Sequence, residues 1–142
     1  MNGVLIVAHG SRAKETEATL DVIVEMVRAK LPDTPIECAF MEFSERTIDK
    51  GISSLVGMGV TEIKLVPYFL FSGIHIKEDI PNMAAQCAAQ YSTQCADTAQ
   101  QCAAQRTGSS LRVSLTMGQP LGVDERLADI LVDRIVRAPA GA

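Results

Sequence analysis

The stretch Val4-Leu5-Ile6-Val7-Ala8-His9-Gly10-Ser11 decides the fold. Five apolar residues run without polar alternation, as in a strand covered on both faces; a half-exposed strand would alternate. Beyond it, Leu20, Ile23, Val24, Val27 and Leu31 fall at i, i+3, i+4, i+7 and i+11. That spacing draws one stripe along a helix, and Pro32 stops it. The alternation then repeats. A strand spans Ile36 to Met41, and a helix carries Ile48, Ile52, Leu55 and Val56 on one face before ending at Gly57 or Gly59. A third strand runs from Glu62 to Phe69, and a long helix from Glu78 or Pro81 to Gln105. Thr107 to Ser110 form a turn, Leu111 to Thr116 a fourth strand, and the last helix holds Leu127, Ile130, Leu131 and Ile135. Four β-α units in a row imply right-handed crossovers and a parallel sheet between helices. The expected fold is α/β: a three-layer α/β/α sandwich on a four-stranded parallel sheet, flavodoxin-like in outline, with strand order 2-1-3-4.

The 142 residues fit one domain spanning 1–142. Hydrophobic residues make up 47% and charged residues 21%, enough apolar side chain for a core and too much for a disordered chain. Thirteen basic against seventeen acidic residues leave a net charge of −4. That disfavours a nucleic-acid protein, which needs a basic stripe for phosphates. No run of ~18 apolar residues spans a membrane, and no basic n-region precedes an apolar one, so no signal peptide is expected. The expected location is the cytoplasm. Of four cysteines, Cys38 lies in a strand, while Cys87, Cys95 and Cys102 share an Ala/Gln-rich segment. On a helix, successive members of that row stand roughly 10–12 Å apart, beyond the ~7 Å a disulfide spans. No CxxC pair exists, so the four read as small apolar residues of a reducing compartment. Residues 83–110 are atypical: Gln86-Cys87-Ala88-Ala89-Gln90 recurs as Gln101-Cys102-Ala103-Ala104-Gln105. A stripe of Ala84, Ala88, Tyr91, Cys95, Ala99 and Cys102 suits close approach to another helix, in a second subunit or on the sheet. Residues 138–142 read as a frayed tail.

Ligands of open parallel sheets bind beyond the carboxyl ends of the strands. Strand one delivers His9, Gly10, Ser11 and Arg12 there; strand two, Glu42, Phe43 and Ser44; strand three, Phe71, Ser72, Gly73, His75 and Lys77. Both histidines of the chain fall at this edge, with five of its six aromatic residues: Phe40, Phe43, Tyr68, Phe69 and Phe71. Each residue also has a plain structural reading. A histidine after a buried strand can be a capping group, Glu42 can begin a turn, and Ser11 and Ser44 read first as N-caps of the helices that follow. Arg12 and Lys77 suit solvent or ligand carboxylates, and Gly10 and Gly73 suit tight backbone geometry. Taken together, flat π-faces suit a large planar ligand. Two imidazoles and a carboxylate suit a transition metal rather than magnesium or calcium. Three ligands with open positions describe a transit or catalytic site. Imidazole titrates near neutral pH, so the same ring can also take a proton. Metal insertion into a macrocycle needs both properties.

Four motifs carry a resemblance. Leu5-Ile6-Val7-Ala8-His9-Gly10-Ser11-Arg12 is similar to the opening strand of the small class II chelatases, the short sirohydrochlorin cobalto- and nickelochelatases related to sirohydrochlorin ferrochelatase. Val66-Pro67-Tyr68-Phe69-Leu70-Phe71-Ser72-Gly73-Ile74-His75, followed by Asp79-Ile80-Pro81, resembles their second signature. Ala39-Phe40-Met41-Glu42 resembles their Ala-Phe-Leu-Glu, and Pro120-Leu121-Gly122 a late Pro-Leu-Gly. The likeness spans 1–81 and resumes near 111–137; residues 83–110 depart from it. The resemblance implies a chelatase-like fold and a lyase that inserts Co²⁺, Ni²⁺ or Fe²⁺, with cobalt favoured, into sirohydrochlorin. The metal is then substrate, and no cofactor is permanently bound. It implies His9 and His75 as metal ligands and proton acceptors, Glu42 as proton acceptor or metal guide, and a homodimer. Ser11, Arg12, Phe43, Ser44, Phe71, Ser72, Gly73 and Lys77 are the expected substrate contacts. Two other classes compete: a non-catalytic metal or tetrapyrrole carrier using the same pocket, and a phosphoryl-transfer enzyme. The latter is disfavoured because Ala8, not Arg, precedes His9, and no Gly-rich phosphate loop appears.

Overall fold

The computed structural model describes residues 1–70, 78–83, 85–86 and 113–139. The elements follow in the order β1 (Asn2–Ala8), α1 (Glu15–Lys30), β2 (Ile36–Phe40), α2 (Ile48–Gly57), β3 (Glu62–Pro67), β4 (Ser114–Met117) and α3 (Glu125–Arg137). Residues 78–83 and 85–86 are helical as well. The four strands form one sheet in the order β2-β1-β3-β4, parallel throughout: Val4 faces Ile36, Val4 faces Lys64, and Lys64 faces Thr116. The expected strand order is therefore the observed one.

Alternation along the strands divides the core. Leu5 and Val7 point to one face, where Ile48, Ile52 and Leu55 of α2 join them with Ile63, Leu65 and Ile80. Ile6 and Ala8 point to the other, against Leu20 and Val24 of α1 with Cys38 and Phe40. Helix, sheet and helix make three layers. α2 lies close because Gly51 faces the sheet: a Cβ there would stand 2.6 Å from Leu5 Cδ1. α1 ends at Lys30 with Leu31 as its cap, before Pro32, as a residue preceding proline avoids the helical region.

Some boundaries moved. β3 stops at Pro67 rather than Phe69, because proline brings no N–H to the ladder; Tyr68 N–H still donates to Val7 O at 2.7 Å. β4 runs one residue past Thr116, to Met117. α3 forms where its periodicity placed it, capped by Asp124, whose side chain accepts from Arg126 N. None of its residues is buried. The remainder of the long helix to Gln105, the turn at 107–110, Cys87, Cys95, Cys102 and the end of the tail lie outside the described residues.

Candidate active site

β1 and β2 end side by side, and their backbones stay joined past the ladder. Met41 N–H donates to Ala8 O at 2.9 Å and Glu42 N–H to His9 O at 3.1 Å. This zipper brings together two side chains far apart in sequence. His9 Nε2 lies 2.7 Å from Glu42 Oε1, with 45% and 47% of the two side chains exposed. A carboxylate accepts from the ring N–H, which orients the imidazole and fixes which nitrogen carries the proton. Phe69 meets the His9 ring edge-on, 6.5 Å between centroids at 75°.

Two backbone features hold this corner. Gly10 adopts φ +99°, and a Cβ on it would fall 2.0 Å from Glu42 O; only glycine allows that approach. Phe43 sits at φ +60°, a left-handed conformation that costs a non-glycine residue about 1–2 kcal/mol. The turn exposes half of the Phe43 ring, and the Arg12 guanidinium lies over it, 5.0 Å from the centroid. Arg12 and Phe43, both expected at the site, are thus in contact as a cation–π pair.

The serines behave differently from their N-cap reading. α1 begins at Glu15 with Lys14 at its cap, and Ser11 Oγ accepts from Ala13 N at 3.1 Å in the approach to the helix. α2 begins at Ile48 with Thr47 at its cap. Ser44 Oγ accepts from Arg46 N at 3.0 Å and donates to Glu17 Oε1 at 2.9 Å. Both serines lie too early in the chain to reach the first-turn N–H groups. Phe40, counted among the edge aromatics, is core at 1% exposure. Phe71, Ser72, Gly73, His75 and Lys77 lie outside the described residues.

Several residues at this corner carried no signal singly. Arg46 forks onto Asp21 of α1, Nη1 to Oδ2 at 3.1 Å and Nη2 to Oδ1 at 2.9 Å. It also meets Cys38 Sγ and lies over the Phe40 ring. The Arg46 hydrogen bonds hold the Asp21 carboxyl below the usual carboxylate range, while burial pushes the Cys38 thiol up to about 11. Glu17 and Asp21 stand i, i+4 on α1, a polar seam that could have been read beside the apolar stripe. On the other side of Glu42 a cavity of about 290 Å³ is lined by Met41, Asp79, Asn82, Met83 and Gln86. Positions 79, 82, 83 and 86 share one face of a helix, and that spacing was the available clue. A second cavity, of about 300 Å³, lies between α1 and the end of the sheet, with Thr16, Thr19, Ile23 and Tyr68 among its walls. Among the described residues no three metal-ligating side chains converge, and no helix is long and apolar enough to cross a membrane.

Known proteins share this plan. The CbiX family model matches residues 3–138. The chain is 35% identical over 136 residues to the sirohydrochlorin ferrochelatase of Priestia megaterium, covering 95% of this chain and 44% of that one. It is 32% identical over 136 residues to the sirohydrochlorin cobaltochelatase of Methanosarcina acetivorans, covering 96% and 95%. It thus spans less than half of the ferrochelatase and nearly all of the cobaltochelatase. Among solved structures, the sirohydrochlorin chelatase SirB from Bacillus subtilis subspecies spizizenii, in complex with cobalt, superposes with a TM-score of 0.75 at 27% identity, over 95% of this chain and 50% of that one. With a parallel sheet in the order 2-1-3-4, a His–Glu pair at its carboxyl edge and a match over nearly its whole length, this chain belongs to the CbiX family.

Proposed function

We propose that this chain is a sirohydrochlorin chelatase, a lyase that inserts a divalent ion into the tetrapyrrole, with Co²⁺ favoured over Ni²⁺ and Fe²⁺. The observation that carries the reading is the His9–Glu42 pair, 2.7 Å apart and half-exposed at the carboxyl edge of the sheet. It belongs to a chain 32% identical to a cobaltochelatase along 95% of that protein.

Insertion requires a donor that gives the ion up and a base that takes two pyrrole protons. His9 and His75 are the proposed ligands; two imidazoles leave coordination positions to which the ring nitrogens can bind. A proton taken by His9 is stabilised by the Glu42 carboxylate already hydrogen-bonded to it, and Glu42 is open enough to pass it to water. The ring would rest on Phe43 and Phe71. Arg12 and Lys77 would meet its carboxylates, and Ser11, Ser44, Ser72 and the backbone at Gly73 would complete the polar contacts. The metal is a substrate, and no permanently bound cofactor is needed.

Residues 1–142 are proposed as one domain acting in the cytoplasm as a homodimer, without nucleic-acid or membrane partners. The chain spans about half of the ferrochelatase and SirB chains, so a second copy would supply the other lobe of the cleft. The test is the visible spectrum of sirohydrochlorin mixed with the protein and Co²⁺, Ni²⁺ or Fe²⁺ separately, against a protein-free baseline. Many turnovers per chain are expected. Uptake that stops at a fixed ratio of ligand to chain would instead make this a carrier.

A further inference from the structure

We infer that Arg46 is a positioning residue for Glu42: its two-pronged hold on Asp21 sets the loop that presents the carboxylate to His9. The inference rests on the chelatase reading and adds a residue to it. Residues 40–46 form a closed loop, since Phe40 N–H donates to Arg46 O at 2.8 Å, with Glu42 near its tip. The loop is under tension, because Phe43 is held left-handed at φ +60°. Strain of this kind persists only where the surroundings over-determine the conformation, and here the restraints can be named.

On the β1 side, Glu42 N–H is tied to His9 O at 3.1 Å, and Gly10 packs beneath Glu42 O. On the α1 side there are two anchors one helical turn apart. Glu17 accepts from Ser44 Oγ at 2.9 Å, and Asp21 takes both prongs of Arg46. The Arg46 side chain is further confined by the Phe40 ring, 5.5 Å from its Cζ. A guanidinium fork has a fixed plane and direction, so this contact specifies where the loop leaves the sheet. It holds the carboxylate through the backbone and does not touch the reacting atoms.

A double-mutant cycle tests this with chelation kinetics on the full chain. Arg46→Ala is expected to lower kcat about 10-fold or more while KM for sirohydrochlorin stays within about twofold. In the Glu42→Gln background, where the carboxylate is already gone, the same change should alter kcat less than about twofold. Coupling of this size is what contacts within one network produce. Arg46→Lys keeps the charge without the fork and should show the same background dependence in milder form; it serves if Arg46→Ala fails to fold. Equal losses in both backgrounds would overturn the inference, because Arg46 would then act on general stability. Absence of turnover in the unsubstituted chain would overturn the chelatase reading, and this role with it.

Discussion

The two ends of the chain use amphipathic helices in opposite ways. α1 and α2 bury their stripes against β1 and β2, so that Leu20, Val24, Ile52 and Leu55 are at most 4% exposed. α3 has an equally regular stripe, yet Leu131 and Ile135 are 61% and 65% exposed. The sheet follows the same gradient: every residue of β1 from Leu5 to Ala8 is buried, whereas no residue of β4 is. Apolar periodicity therefore identifies a helix without identifying what it packs on. The His9–Glu42 corner belongs to the buried end, where a rigid base can hold half-exposed side chains in fixed geometry.

The largest expected effect lies in that corner. His9→Ala should lower the initial rate of metal insertion by about 10²-fold or more, the usual contribution of a positioned acid–base group. Ser114→Ala, at the opposite end of the sheet, should leave it unchanged. Because the His9 side chain is half-exposed, its removal should shift the unfolding midpoint little. Rates equal to the parent in both variants would detach the chemistry from the β1–β2 edge.

Stability sharpens the same contrast. Ile52→Ala removes a side chain fully buried between α2 and β1, and should cost about 2–5 kcal/mol in urea unfolding. Ile135→Ala removes an exposed one and should cost no more than about 0.5 kcal/mol. A large loss at Ile135 would show that α3 is covered in solution, as by a second copy. Dependence of that loss on protein concentration would identify the copy.

The buried end was also the more readable one from sequence. The unbroken run from Val4 to Ala8 and the stripes of α1 and α2 report burial directly, because each is a local pattern with one physical cause. His9 and Glu42 could be placed at one edge by topology alone. Their pairing could not, since it depends on backbone hydrogen bonds beyond the strand ends and on the glycine between them. The Arg46–Asp21 contact was invisible for a similar reason: both residues look like ordinary surface charges until α1 is laid on β2. Ser11 and Ser44 misled because serine ahead of an apolar stripe also suits a turn, and turns occupy both places.

Gly10→Ala probes that missed geometry. With φ at +99° and Glu42 O where a Cβ must go, the backbone has to move. A cost of about 1–3 kcal/mol is expected from the strain, accompanied by lost activity as Glu42 is pushed from His9. An active, equally stable variant would mean that the corner is softer than its contacts imply.

A further effect is confined to the buried end and appears only in alkali. Cys38 keeps its proton in the folded chain to about pH 11, because burial disfavours the thiolate. An unfolded thiol loses it near pH 8.5. Between those values the unfolded state binds fewer protons than the native one, so stability must fall as pH rises. The contribution is fully present below about pH 8.5 and is lost through about pH 11, on the order of 3 kcal/mol across the window. Lysines and tyrosines titrate there too, so the quantity to measure is the difference between the urea stabilities of the parent and Cys38→Ala. That difference should shrink with pH, since the variant has no thiol to deprotonate. Parallel curves would mean that Cys38 is open to water in solution, and the β2–α1 layer less tightly closed than its packing indicates.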